Sequence, residues 1–286
     1  MYIMGENPLM SEPDLDHARH ALSKLQFLAV QDIFLTETAE FADVILPAST
    51  ALEKAGTFTN TDRRVQIGRP ALQPPGEARQ DWELICELGS RMGYPMQYAD
   101  VSQVFDEFAA ATGAYATLSY ANLGSQGKWY PCADPDTSEG DPIVFDKTFP
   151  SGRARLKAVE HAGTDETPDG EYPFLLNTGR VLQHWHTGVM TRRSSALHAI
   201  APEPFMEMHP ADAQRLGLDE GGWALVASRR GEVRIKVRLS ANGHPGSVFI
   251  PMHFREAAAN VLTNPAVDPW GKIPEFKVAA VRITPE

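Results

Sequence analysis

Residues 178–187 read Thr-Gly-Arg-Val-Leu-Gln-His-Trp-His-Thr, a glycine, a guanidinium and two imidazoles grouped around an indole directly after the apolar run 172–176. A strand ending in Thr178, Gly179 and Arg180 delivers bare backbone N–H groups and one rigid cation to the same spot, which suits a phosphate or a fused heterocycle. The competing reading is a strand followed by an ordinary turn, since Gly-Arg pairs after strands are common turn chemistry. In that case His184 and His186 are merely hydrogen-bonded and Trp185 merely packs.

The hydrophobic pattern indicates which elements would position such a grip. Tyr2–Met4 reads as a strand running into the turn Gly5-Glu6-Asn7-Pro8. Ser11 or Asp14 is placed to cap a helix reaching about Leu25, with Leu15, Ala18, Leu22 and Leu25 on one face. Residues 27–30 form a buried strand candidate ending in Gln31 and Asp32, 36–41 a short helix, and 43–46 a third strand stopped by Pro47. Strand and helix alternating through short links predict an α/β layer with a parallel sheet and ligands at the carboxyl ends of its strands. Residues 53–66 read as a polar loop turning at Gly56, and Asp81 as the start of a helix to about Met92.

From 94 to 173 recurring Gly, Pro, Asp and Ser predict loops and a linker. After Pro173 short alternating strands are expected at 174–177, 223–228, 232–239, 248–250 and 277–283, with one helix at Pro210–Leu216. This is the pattern of a compact six-stranded β-barrel. The expected class is α/β plus β, with domains at 1–130 and 173–286 joined by a linker at 131–172.

A chain of 286 residues is long enough for two cores, and 43% hydrophobic with 22% charged residues is ordinary globular composition. No apolar run approaches the ~18 residues of a membrane span, and the opening lacks the basic and apolar regions of a signal peptide, so a cytoplasmic location is expected. The net charge of −11 works against nucleic-acid binding, although a few local donors could still hold a mononucleotide. Cys86 and Cys132 are the only cysteines and form no CxxC, so they offer neither a disulfide framework nor a cysteine-ligated metal. His209 and His253 lack a second histidine or carboxylate at ligand spacing. They are expected to satisfy local polar groups, and no metal site is expected.

Four stretches carry a family resemblance: GENP at 5–8; TETAEFADVILPAS from 36, followed by EKAGTFTNTDRRVQ to 66; TGRVLQHWHTGVMTRRS at 178–194; and AAANVLTNPAVDPWGKIPEFK at 257–277. In this order and spacing the chain resembles the C-terminal portion of the molybdopterin-dinucleotide-dependent oxidoreductases, most of all the catalytic subunit of NAD-linked formate dehydrogenase. The segments GVMTRRS and NPAVDPWGKIPEFK lean toward that branch over the similar nitrate reductases.

The resemblance implies a partial Rossmann-like domain followed by a double-psi β-barrel. Together these would grip the nucleotide ends of two pterin guanine dinucleotides (bis-MGD) that hold molybdenum or tungsten beyond this chain's reach. The implied cofactor-binding residues are Asn7, Gln31, Asp32, Lys54 and Asp81 in the first half. In the second they are Thr178, Gly179, Arg180, Val181, Leu182, His184, Trp185, His186, Thr187, Met252, Asn260 and Lys277. Asp32 and Asp81 could accept from a guanine N–H edge or ribose hydroxyls, Lys54 and Lys277 could neutralise diphosphate, and Asn260 could both donate and accept. The alternatives are a plain helix cap for Asp81 and a solvated charge for Lys54. For Arg192 and Arg193 they are a formate-attracting funnel or a solvated turn.

The family's iron-sulfur region and its metal-ligating cysteine or selenocysteine have no counterpart here, so no catalytic residue is expected within the chain. The implied partners are the N-terminal part of the same enzyme or a separate subunit carrying it, iron-sulfur and flavin electron-transfer subunits, and formate. A sheet missing its preceding strands implies an open edge and poor solubility as a lone monomer. A nitrate reductase-type member, a stand-alone pterin-dinucleotide-binding module without catalysis, and an inert remnant are the alternative readings.

Overall fold

Tyr2–Met4 forms β1, and the chain leaves it through a glycine in the left-handed region, Gly5. Pro8 then opens a single-turn helix, α1 (Pro8–Ser11), where its missing N–H costs nothing. Helix α2 (Leu15–Ser23) is capped by Asp14, whose side chain accepts from His17 N at 3.3 Å. β2 (Ala29–Asp32) pairs in parallel with β1, with Ile3 opposite Val30, and β3 (Val44–Pro47) completes a sheet of order β1-β2-β3. The face expected for α2 is shared between two layers. Leu22 and Leu25 pack with Leu28, Val30 and Ile3 beneath the sheet, whereas Leu15 packs with Met10 and Ala258.

The computed structural model describes residues 1–146, 149 and 151–286. Its contacts divide the chain into one unit made of Met1–Ile45 and His161–Glu286 and another made of Leu46–Glu160.

In the second unit the stretch expected to be a loop at 53–66 is instead largely a hairpin, β4 (Gly56–Thr59) with β5 (Arg64–Gly68). Thr57-Phe58-Thr59 and Val65-Gln66-Ile67 are β-branched and aromatic alternations that the polar composition concealed. The turn closes through Asn60 N to Arg64 O at 2.9 Å, with Arg63 at φ +70°. Helix α3 (Asp81–Arg91) begins at Asp81 itself, so Gln80 occupies the cap position and Asp81 lies in the first turn. Within the stretch expected to be loops lies a helix, α4 (Val101–Ala111), capped by Asp100, whose side chain accepts from Ser102 N. Its Phe105 and Ala109 join Val65, Leu118, Leu123 and Cys132 in a core of their own, and a short β6 (Lys128–Trp129) pairs with β5.

The barrel strands are β7 (Phe174–Gly179), β8 (Phe205–Met208), β9 (Trp223–Ala227), β10 (Glu232–Leu239), β11 (Ser247–Pro251) and β12 (Ala279–Pro285). They close in the order β10-β8-β11-β7-β12-β9. The β7–β11 and β8–β10 pairs are parallel and the remainder antiparallel. Val233, Ile235 and Val237 on alternate positions of β10 face a core shared with Leu176, Met206 and Ile250. A short helix that the sequence did not suggest, α5 (Ser195–Ile200), follows the 180–193 loop, and the expected helix is α6 (Pro210–Leu216). α6 is capped by the His209 ring accepting from Ala211 N and stopped by Gly217 at φ +73°.

Candidate functional site

β7 ends against two other segments of the same unit. Thr178 Oγ1 donates to Phe276 O at 2.5 Å, Lys277 Nζ donates to Thr178 O at 3.1 Å, and Met252 N donates to Gly179 O at 3.0 Å. A side chain at Gly179 would put its Cβ 2.7 Å from the Phe249 ring, so the strand end tolerates no larger residue without moving that ring. Of the expected residues, Thr178, Gly179, Met252 and Lys277 therefore converge on one strand end.

The loop that follows is fastened by a histidine for which only a local role was expected. Val181 N donates to His253 Nε2 at 2.9 Å, and His253 Nδ1 donates to the His186 carbonyl. An imidazole that accepts at Nε2 must carry its proton on Nδ1, so the geometry assigns the tautomer. His253 is fully buried, and desolvation lowers its pKa from the ordinary histidine range to about 4 against the weaker opposing effect of the His186 carbonyl. The ring is neutral at physiological pH. His186 itself sits at φ +47° and Gly188 at φ +77°. Buried His184 holds the far side, with Nε2 donating to Ala201 O at 2.7 Å and Nδ1 facing the Thr191 hydroxyl at 3.3 Å.

What this scaffold leaves exposed is chemically distinctive. The Arg180 guanidinium lies over the Trp185 ring at 4.7 Å from its centroid and makes no ion pair among the described residues. Leu182 is 98% exposed and Trp185 59%. A free cation stacked on an indole beside a bare leucine can hold an anionic group and a flat ring at once.

Arg192 and Arg193 do not form a solvated turn. Arg192 makes a two-point bond to Glu256 at 2.9 and 2.6 Å and lies over Phe254. Arg193 lies over Phe34, 4.5 Å from its centroid, and donates to Val189 O at 2.6 Å and Leu35 O at 3.4 Å. That contact brings the carboxyl end of β2 to the 180–193 loop. Asp32 there accepts from Ile33 N at 2.7 Å and Phe34 N at 3.4 Å. Burial raises its carboxyl pKa against the lowering effect of those two backbone bonds, with the nearby Glu6 adding to the rise and Arg193 opposing it more weakly.

Thr187 is buried at the end of the loop, and Asn7, Gln31, Asn260, Lys54 and Asp81 are engaged internally. Asn7 Nδ2 donates to Glu37 at 2.7 Å while its Oδ1 accepts from Thr38 N at 3.2 Å and Thr38 Oγ1 at 2.8 Å. Gln31 is buried, and its side-chain oxygen accepts from the Tyr2 hydroxyl. Asn260 Nδ2 donates to the carbonyls of Met10 and Ser11. Lys54 and Asp81 form an ion pair with each other in the other unit, so Lys54 is not a solvated surface charge.

Residues 1–91 match the molybdopterin oxidoreductase family, and residues 174–280 match the molydopterin dinucleotide binding domain. The chain belongs to the molybdopterin oxidoreductases. Among its relatives is the F420-dependent formate dehydrogenase subunit alpha of Methanocaldococcus jannaschii, 48% identical over 99% of this chain and 42% of that protein. The assimilatory nitrate reductase catalytic subunit of Bacillus subtilis is 37% identical over 100% of this chain and 42% of its own length. Formate dehydrogenase H of Escherichia coli is 34% identical over 99% of this chain and 40% of its own. This molybdopterin oxidoreductase chain thus spans less than half the length of these relatives. The acetylene hydratase of Pelobacter acetylenicus shares the fold, with a TM-score of 0.76 at 19% identity over 100% of this chain and 44% of its own. Among the described residues no helix is long and apolar enough to cross a membrane, and no group of three or more His, Cys, Asp or Glu could hold a metal ion.

Proposed function

We propose that this chain is the C-terminal part of a molybdenum or tungsten bis-(pterin guanine dinucleotide) oxidoreductase of the formate dehydrogenase type, and that it supplies grip on the nucleotide ends of the cofactor. The observation that carries this reading is the exposed Arg180–Trp185 stack at the end of β7, set on a rigid base of Thr178, Lys277 and His253 within the dinucleotide-binding match. The residues present fit such a ligand. Arg180 offers an unpaired guanidinium to diphosphate, Trp185 a ring face to the heterocycle, and Asp32 a carboxylate to guanine or ribose donors.

When bound, the cofactor supplies a two-electron redox centre that converts formate to carbon dioxide. This chain's own residues bind, orient and exclude water, and none is catalytic. In this reading 173–286 is a double-psi barrel, 1–130 a partial Rossmann-like domain and 131–172 a linker. The partners are the N-terminal part of the enzyme, as the same polypeptide or a separate subunit, and iron-sulfur and flavin electron-transfer subunits in the cytoplasm.

The test is co-expression of this chain with the N-terminal part of a formate dehydrogenase alpha subunit, followed by assay of metal, pterin and formate-dependent dye reduction. Turnover only with both parts present is expected; purified complexes that contain the N-terminal part but no pterin would overturn the reading. The nitrate reductase relative favours a second reading, in which the same complex oxidises reduced dye with nitrate. Pterin retained by this chain alone, without turnover in any complex, would favour a stand-alone binding module.

A further inference from the structure

We infer that His253 is a positioning residue that sets the shape of the 180–188 loop by joining the Val181 N–H and the His186 carbonyl through one imidazole tautomer. This rests on the reading of that loop as the nucleotide grip and assigns its organiser. Three observations converge on it.

The first is reach. His253 directly follows Met252, whose N–H is bonded to Gly179 O, so the ring is anchored to the same strand end from which the loop departs. The second is bipolarity. The loop offers one donor, Val181 N–H, and one acceptor, His186 O, to a fully buried site. Lys and Arg are donors only and an ionised carboxylate is an acceptor only, whereas a neutral imidazole matches one of each. The third is close packing around the clasp. A Cβ at Gly188 would lie 2.9 Å from the His253 carbonyl oxygen, and the residue holds φ +77°, so the loop passes His253 where only glycine fits without strain. With Val181 and His186 fixed at either end, Leu182 and Trp185 are presented to solvent and Trp185 stays beneath Arg180.

The test separates the two bonds in the full 286-residue chain. His253→Gln places an acceptor near the Nε2 position, His253→Asn places a donor near Nδ1, and His253→Phe supplies neither. Hydrogen exchange at the Val181 amide, nitrogen-15 spectra of the wild-type ring and titration with GDP are the readouts. Expected are an Nδ1–H tautomer at neutral pH, and Val181 protection kept in His253→Gln but lost in His253→Asn and His253→Phe. GDP affinity should fall about tenfold or more in His253→Phe, with partial rescue by His253→Gln, an effect equivalent to roughly 1.4 kcal/mol. An Nε2–H or cationic ring in the wild type overturns the inference even if no variant folds. So does unchanged Val181 exchange in a folded His253→Phe. If the wild type does not bind GDP while Val181 protection follows the substitutions as stated, the clasp stands and the cofactor reading fails.

Discussion

The side-chain amide of Asn260, which follows the barrel strand β11, donates to the carbonyl oxygen of Met10 at 3.0 Å and to that of Ser11 at 3.1 Å, across 250 residues of sequence. A one-turn helix leaves its last carbonyls without internal partners, and one buried amide supplies both. Arg255 adds an ion pair to Glu40 nearby, so the first 45 residues are fastened to the barrel by polar bonds as well as by Leu15 and Met10. Asn260→Ala would bury these carbonyls unpaired. A loss of about 1–3 kcal/mol in urea unfolding is expected, against which Arg255→Ala, an exposed pair, should cost under about 1 kcal/mol.

The low pKa of His253 makes stability depend on pH in a definite window. Its folded-state value of about 4 lies below the ordinary value of 6.5, so the unfolded chain takes up the proton first. The contribution is complete above about pH 6.5 and is lost as pH falls toward 4. Arg180, His184 and His186, the charged and titratable groups acting on the ring, all oppose its protonation. Unfolding free energies measured across this range should fall by up to about 3 kcal/mol from this residue, and His253→Gln should flatten the slope.

Gly188 and Gly217 share nearly the same backbone angle, φ +77° and +73°, but not the same surroundings. Alanine at 217 meets nothing within 4 Å, so only backbone strain of about 1 kcal/mol is expected. Alanine at 188 also collides with His253 O and the Arg192 side chain, and a cost of about 2 kcal/mol or more is expected. Equal unfolding midpoints for the two variants would refute the close approach at 188.

Arg180 is exposed and unpaired among the described residues, so its loss should separate binding from folding. Arg180→Ala should leave the unfolding free energy within about 0.5 kcal/mol and weaken GDP binding on the order of 10- to 100-fold, as removal of a charged hydrogen bond does. Calorimetric titration distinguishes this from a merely packed arginine, whose removal would leave affinity unchanged.

Much of the framework was legible because its signals are local. The α6 helix announces itself by His209-Pro210 before it and Gly217 after it, and β10 by strict alternation over eight residues. The parallel pairing of β1 with β2 followed from strand, helix, strand with short links. Several elements were missed. The β4–β5 hairpin is concealed by its polar composition, α4 by the glycine-, proline- and aspartate-rich stretch read around it as loops despite its Val101, Phe105 and Phe108 spacing, and α5 by its shortness of six residues. β8 is a four-residue strand whose register is set by parallel pairing with β10, far along the chain.

The sequence alone determined the family, through four motifs in fixed order, and the presence of a barrel, because period-two hydrophobicity is a property of neighbouring residues. It also singled out Thr178–Thr187 as the chemically unusual stretch. Only the tertiary structure decided which groups remain free to act. Arg180 is left unpaired, while Arg192, Arg193, Asn7 and Asn260 are spent on partners from 30 to 250 residues away or on adjoining turns. Pairing of donors and acceptors is settled by distances in space, and a chain's order does not encode which amide a buried imidazole such as His253 will meet.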